Sequence, residues 1–238
     1  MRQPLFFRIQ SAVENYDPYF VQRMDCSGRM GLSSIQKITT AMQMLTYGAS
    51  ADSVDDYLRI CESMAIESLK RFVKAIIAIF GEEYLRSPNS DDITHLLAIG
   101  EQRGFPGMLG SIDCMHWKWK NCPSAWAGMY SGHVHEPTII LEAVASYDLW
   151  IWHAFFGLPG SHNDINVLER SSMFNELSEG RAPPVSYSIN GHDYSMGYYL
   201  ADGIYPPWAT FVKTISAPQG NKRKLFANTQ ESAWKHIE

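Results

Sequence analysis

Cysteine is scarce in this chain, with four residues in 238, and no two of them form a Cys-x-x-Cys pair. A small secreted domain stapled by disulfides uses more cysteines over a shorter length, so we expect free thiols in a reducing compartment. The first twenty residues also lack a long apolar core followed by a small-residue cleavage site. Together these absences predict an intracellular protein.

Long apolar runs and an excess of positive charge are missing as well. The most apolar window, residues 141–160, contains Glu142 and Asp148 and ends in Pro and Gly, so we predict no membrane segment. The formal net charge is −5 and the sequence pI is about 5.9. A DNA partner would therefore have to be bound through a local basic patch, because the overall charge gives it no support.

Residues 1–100 are predicted to form a small all-helical region. Ser33 and Gln36 have the spacing of a capping box, apolar residues follow at helical intervals, and Gly48 is placed to end the helix. A second short helix is expected from Ser53, and a third over residues 63–81 with its final glycine as the stop. Three short helices with tight joints suit a helix-turn-helix unit. A helical cap over another domain's core explains the same pattern, and we favour this second interpretation.

From residue 101 to residue 238 the pattern changes to strands. Three segments, "LGSIDCMHWKW", "PTIILEAVASY" and "WIWHAFFGLPG", are rich in β-branched and aromatic residues and are separated by turn sequences. A helix capped by Asn163, a hairpin turning at Asn190-Gly191, a strand ending at Asp202 and a closing helix follow. We therefore predict an α/β domain with a mixed sheet flanked by helices, preceded by the helical region.

Two strand-like segments, 109–113 and 197–202, each end in an aspartate. If the strands are neighbours, Asp113 and Asp202 face each other across the crevice at their carboxyl ends, where open α/β sheets bind ligands. Two carboxylates this close repel unless a cation lies between them, and Mg²⁺ suits such a site. A pair of these ions can clamp a phosphodiester during displacement. Glu238 could supply a third carboxylate from the closing helix.

The segments "GSIDCMHW", "PTIILEAVASYDLWIWHAFFGLPGSHNDINVLERS", "YYLADGIYP" and "KHIE" resemble the core of the PIF/Harbinger transposase-derived nucleases of plants. The resemblance runs from about residue 17 to the last residue. It implies an RNase H-like fold with an Asp-Asp-Glu metal triad, in which Asp113, Asp202 and Glu238 are the three members and the metal is Mg²⁺ or Mn²⁺, with two ions bound. Relatives read Glu-Arg-Ala-Phe-Gly at the third position, so the resemblance also implies a chain truncated at both ends.

Further residues are weaker candidates. Asp164 lies within the resembling segments but is not one of the three triad positions. An aspartate that begins a helix is the simpler interpretation of this residue. His116 could contact a metal or phosphate, although a polar residue beside the cleft is the simpler assignment. Basic residues between the second and third acids are candidate phosphate contacts or a solvated loop; they are Lys213, Lys222, Arg223 and Lys224. The spacing of cysteines and histidines over residues 114–135 matches no standard zinc site.

Two functions of different classes follow. The first is a transposase-derived, metal-dependent DNA endonuclease and strand transferase, whose activity in this chain depends on Glu238 being held in place. The second is a non-catalytic, domesticated transposase fragment that acts as a DNA- or chromatin-associated module. Both predict DNA as a partner, a nuclear location and no membrane association. A second copy of the chain or an accessory DNA-binding protein would be further partners.

Overall fold

The computed structural model describes residues 1–133, 135–172 and 184–235, except for the side chain of Asp56. The chain divides into two compact units, Met1–Arg86 and Ser87–Glu238. Our sequence-based boundary, between residues 100 and 101, lies near the end of the helix Ser90–Gln102, whereas this division precedes that helix. Within the described ranges, no helix is long and apolar enough to cross a bilayer.

The first unit is helical and has a hydrophobic core of its own. Its helices are α1 (Gln3–Tyr16), α2 (Ser34–Tyr47), α3 (Asp55–Leu58) and α4 (Glu62–Tyr84). The predicted capping box is confirmed, because the Gln36 N–H donates to the Ser33 hydroxyl and the Gln36 side chain accepts from the Ser33 N–H. The left-handed Gly48 that ends α2 is confirmed too. The buried core comes from α1, α2, α4 and the loop after α1: Val13, Phe20, Ile38, Ala41, Phe72 and Ala75.

Two features of this unit differ from the prediction. Helix α1 was not predicted, although its Val13 is fully buried in the core. Helix α4 does not stop at Gly81 but continues to Tyr84. A glycine inside a helix costs only about 1 kcal/mol relative to alanine, so the flanking apolar residues can carry the helix through it.

The second unit is built on a five-stranded mixed sheet in the order β3-β2-β1-β6-β7. Strands β1, β2 and β3 pair antiparallel, whereas β6 pairs parallel with both β1 and β7. This confirms the predicted α/β class with an RNase H-like mixed sheet. The sheet strands are β1 (Met108–Lys118), β2 (Thr138–Ala145), β3 (Ile151–Pro159), β6 (Tyr198–Ala201) and β7 (Phe211–Lys213). Between β3 and β6, β4 (Pro184–Ile189) and β5 (His192–Met196) form a separate hairpin.

Among its described residues, the second unit has the helices α5 (Ser90–Gln102), α6 (Ser124–Tyr130), α7 (Asp164–Leu168) and α8 (Asn221–Lys235). The Asn163 side chain caps α7 by accepting the Asn166 N–H, as predicted. The hairpin turn at Asn190-Gly191 is confirmed, and both residues have the positive φ that this kind of turn requires. The short strand β7 was wrongly predicted as a helix or turn, because its three residues gain their order from pairing with β6.

Strand β1 does not end at Asp113, as the strand-like segment 109–113 predicted, but continues to Lys118, near the end of the predicted segment "LGSIDCMHWKW". Antiparallel pairing with β2 extends from Ser111 to Lys118 and satisfies the backbone of this part of the strand. The parallel partner β6 ends earlier, at Ala201. Asp113 therefore lies where β1 loses its parallel neighbour and not where the strand itself ends.

Helix α8 is fastened to the sheet by two side-chain donors. The Gln230 amide, which is almost fully buried, donates to the carbonyl oxygens of Ala201 at 3.1 Å and Val212 at 3.2 Å. The Trp234 indole donates to the Ile112 carbonyl oxygen at 3.1 Å. Each donor thus reaches the residue that directly precedes one of the two predicted catalytic aspartates. Ala233 of the helix packs in a buried apolar cluster with Phe105, Met108, Tyr198 and Leu200.

Replacing Gln230 with leucine should lower the free energy of unfolding by about 1–3 kcal/mol, because two carbonyl oxygens lose a buried donor. Urea denaturation followed by circular dichroism measures this change. Ser232→Ala, at an exposed position of the same helix, is the matched control and should change stability by less than about 0.5 kcal/mol. A Gln230→Leu protein as stable as the wild type would show that this contact does not hold α8.

Candidate catalytic and metal site

The pairing of β1 with β6 places backbone positions 113 and 202 side by side. The parallel register pairs Ser111 with Leu200. Continued by two residues on each strand, it brings Asp113 opposite Asp202, and neighbouring strands lie about 4.8 Å apart. Both aspartates are half-buried. The structure therefore brings the two predicted triad positions to one point at the edge of the parallel ladder.

Asp202 is held by the turn that it begins. Its Oδ1 accepts the backbone N–H of Ile204 at 2.9 Å, which fixes the carboxylate against the loop that follows β6. The same loop carries Tyr205, which is almost fully buried. The Asp202 side chain is thus set by backbone geometry where β6 ends.

Asp164, predicted as a residue that begins a helix, also lies near Asp202. It begins α7 and is half-buried. Burial raises the pKa of the Asp164 carboxyl, and the nearby negative charge of Asp202 raises it further. A carboxylate whose pKa responds to Asp202 in this way lies within electrostatic reach of it.

Several buried polar side chains lie near Asp164, on the face of the sheet that α7 covers. Cys114 is paired across the strands with Glu142, and its thiol lies 3.4 Å from the Tyr205 hydroxyl. Glu142 is fully buried, and its Oε1 lies 3.2 Å from His153 Nε2. Its Oε2 has no hydrogen-bond partner among the described residues. Burial raises the pKa of the Cys114 thiol well above its usual range, so the thiol stays protonated.

His116 points away from Asp113. Side chains alternate between the faces of a strand, so His116 lies on the same face as Cys114 and opposite Asp113. Its Nδ1 lies 3.3 Å from the Thr138 hydroxyl, and its ring packs edge-on against His133. Burial, helped by His133, lowers the pKa of His116. The structure does not bring His116 and Asp113 to one face of the sheet.

The basic residues divide into two groups. Lys222, Arg223 and Lys224 are exposed and lie in the first turn of α8. The sequence had suggested either phosphate contacts or a solvated loop for these residues. Lys213 instead ends β7, next to Ala201 of β6. Its Nζ donates to the carbonyl oxygen of Tyr205 at 2.7 Å and to that of Gly203 at 3.4 Å.

Glu238, the predicted third ligand, lies outside the described residues. Over residues 1–133, 135–172 and 184–235, no group of three or more histidine, cysteine, aspartate or glutamate side chains has the arrangement of a metal site. Sequence reasoning missed Gln230, Trp234 and Tyr205, which attach α8 and the Asp202 loop to the sheet. Only the aromatic character of Trp234 and Tyr205 gave any signal, and aromatic residues pack in most cores.

Replacing Asp164 with asparagine should raise the free energy of unfolding at pH 7 in the absence of metal. The folded-state pKa of Asp164 is raised, so its ionised form destabilises the fold, and asparagine removes that charge. The gain should shrink as the pH falls through the folded-state pKa and vanish below the unfolded value of about 3.9.

Urea unfolding between pH 3.5 and 7.5 in EDTA measures this difference. Asp193→Asn, at an exposed position in β5, is the control and should leave stability nearly unchanged. An Asp164→Asn protein that is less stable than the wild type at pH 7 would contradict the electrostatic interaction between Asp164 and Asp202.

Comparison with known proteins identifies the lineage. Residues 82–238 match the family described as plant transposon protein. The match includes the whole second unit and with it the sequence positions of Asp113, Asp164, Asp202 and Glu238. No curated protein and no solved structure matches the chain. Because the family match extends over more than half of the sequence, the chain belongs to the plant transposon protein family.

Proposed function

We propose that this protein is a divalent-metal-dependent DNA endonuclease and strand transferase of the PIF/Harbinger type, acting through an Asp-Asp-Glu triad. The observation that carries the proposal is the β1–β6 register, which pairs Ser111 with Leu200, two residues before Asp113 and Asp202, in a chain of transposon lineage. Two carboxylates at the open edge of a parallel ladder favour a bound cation over an empty site, since alone they repel.

The donor set fits Mg²⁺ or Mn²⁺. Both are hard ions that take carboxylate oxygens and keep several waters, so two aspartates and one glutamate suit a pair of them. Asp113 and Asp202 would hold the ions from the sheet, and Glu238 would complete the site from the end of the chain. Trp234, bonded to the Ile112 carbonyl, precedes Glu238 by four positions in the sequence.

When bound, the ions activate the attacking oxygen and stabilise negative charge on the phosphate. The residues of the chain fix the positions around them. Asp113 is held by pairing with β2, and Asp202 is held by the Ile204 N–H. In the proposed hydrolysis, water attacks phosphorus, the P–O3′ bond breaks and a 3′-hydroxyl leaves. That hydroxyl then attacks a phosphodiester of the target DNA, so that a new P–O3′ bond forms while the target's own P–O3′ bond breaks and its 3′-hydroxyl leaves. Carboxylates fixed before the reaction reduce its ordering cost.

The start of α8 offers a DNA contact at a defined distance. Arg223 and Trp234 are separated by about 16 Å along a helix that rises about 1.5 Å per residue. This spacing corresponds to roughly five base pairs at about 3.4 Å each. We propose that Lys222, Arg223 and Lys224 bind phosphates about five base pairs from the cut. The substrate implies a nuclear location, with a second copy or an accessory DNA-binding protein as a further partner.

Mn²⁺ binding tests the metal site directly. We expect the wild type to bind Mn²⁺, Asp113→Asn and Asp202→Asn to lose binding, and Glu238→Gln to weaken it. The reason is that each change removes one anionic ligand, and the two aspartates hold the ions from strands that pairing fixes. Electron paramagnetic resonance counts free Mn²⁺, and Asp193→Asn is the control with the same charge change at a remote position.

A plasmid nicking assay with Mg²⁺ or Mn²⁺ then tests the chemistry, with Asp113→Ala as the blank. Wild-type nicking above the blank supports the nuclease. A wild type that binds DNA but neither binds Mn²⁺ nor nicks would replace this proposal with the non-catalytic DNA- or chromatin-associated module. Full Mn²⁺ binding by Glu238→Gln would remove Glu238 from the triad.

The salt dependence of DNA binding tests the basic cluster. In a variant with Lys222, Arg223 and Lys224 all changed to glutamine, the slope of log K against log salt should fall by about 3, because each phosphate contact contributes about 1. Fluorescence anisotropy on a random 30-base-pair duplex measures the slope. Lys118→Gln, a lysine paired with Glu136 at the far end of β1, is the control. An unchanged slope in the triple variant would place the DNA elsewhere.

A further inference from the structure

Lys213 binds the protein's own backbone. Its Nζ donates to the Tyr205 carbonyl oxygen at 2.7 Å and to the Gly203 carbonyl oxygen at 3.4 Å, and the side chain is half-buried. An ammonium group has three donors. Two are directed at the loop that begins with Asp202, whereas a lysine used for phosphate contact keeps its donors toward solvent.

Tyr205 attaches the same loop to strand β1 and to the core. Its ring packs in the core beside Phe211, with 5.4 Å between ring centroids. Its hydroxyl lies 3.4 Å from the thiol of Cys114, the residue that follows Asp113. The four-residue loop 202–205 is thus linked to β7 through its carbonyls and to β1 through a side chain. These strands lie on either side of β6.

We infer that Lys213 and Tyr205 are positioning residues that fix the loop 202–205, and with it the Asp202 carboxylate, relative to Asp113. This inference rests on the proposed metal site and gives Lys213 a role different from the phosphate contact expected from its sequence position. Without the lysine, two carbonyls of a short loop lose their donor and the loop is held by the Asp202–Ile204 turn and by Tyr205. Groups that orient metal ligands typically change metal affinity by about 10–100-fold when removed.

Hydrogen exchange tests the loop attachment without any metal. In Lys213→Met, the Ile204 amide should exchange at least about tenfold faster than in the wild type, while amides in the centre of β2 keep their rates. The reason is that opening the loop breaks the Ile204 N–H bond to Asp202. Nuclear magnetic resonance on the metal-free protein measures both sets. Unchanged exchange at Ile204 would overturn the inference whatever the fate of the nuclease proposal.

Mn²⁺ affinity and the salt slope of DNA binding then separate the two roles of lysine. Lys213→Met should weaken Mn²⁺ binding about tenfold and leave the slope unchanged. Lys222→Met, at the start of α8, should do the reverse, with the slope falling by about 1 and Mn²⁺ affinity unchanged. Should Lys213→Met fail to fold, Tyr205→Phe keeps the ring and removes only the hydroxyl, and a smaller loss of Mn²⁺ affinity is expected from it.

The outcomes distinguish this inference from the proposed function. No Mn²⁺ binding by the wild type overturns the nuclease proposal and the positioning role with it. Wild-type binding with equal affinity in Lys213→Met overturns the positioning role alone. If the salt slope falls by about 1 in Lys213→Met while Mn²⁺ affinity is unchanged, Lys213 contacts DNA. That result also overturns the positioning role.

Discussion

The parallel ladder between β1 and β6 is the constraint on which the candidate site depends. It ends because β6 is short, while β1 continues on the support of β2. The result is a strand whose pairing with β2 continues past Asp113, whereas its parallel pairing with β6 stops at Ser111. Asp113 is therefore fixed by the antiparallel ladder and is only half-buried.

The polar ties of helix α8 complete this arrangement. Apolar packing alone would hold the helix against the sheet but would leave it free to slide along its axis, because hydrophobic contact has no direction. The amide of Gln230 and the indole of Trp234 reach defined carbonyls, so they set the axial position of the helix. Buried polar contacts of this kind can add specificity of placement as well as stability.

Local signals in the sequence predicted much of the fold. The capping box at Ser33, the cap at Asn163 and the hairpin at Asn190-Gly191 are decided by neighbouring residues, and all three are present. One error concerns a feature that a distant segment decides, since β7 forms by pairing with β6. The other concerns the strength of a local signal, since Gly81 does not end α4.

The candidate site likewise has residues that the sequence marks and contacts that it does not. Asp113 and Asp202 could be proposed from the sequence because strand-like segments and family motifs mark them. The contacts of Lys213, Tyr205 and Gln230 were not found, because each joins a side chain to a carbonyl oxygen or to another side chain in a segment separated from it along the chain. No residue pattern marks a carbonyl as an acceptor, so such contacts become visible only when the register is known.

The placement of Cys114 has a consequence for the redox behaviour of the protein. Oxidants attack the thiolate, and burial keeps this thiol protonated beside Tyr205. Cys26 and Cys61 are exposed, and hydrogen bonding lowers the pKa of Cys61, so these thiols meet peroxide or glutathione first. Oxidative modification would thus begin on the helical unit, while the strand that carries Asp113 keeps its reduced cysteine.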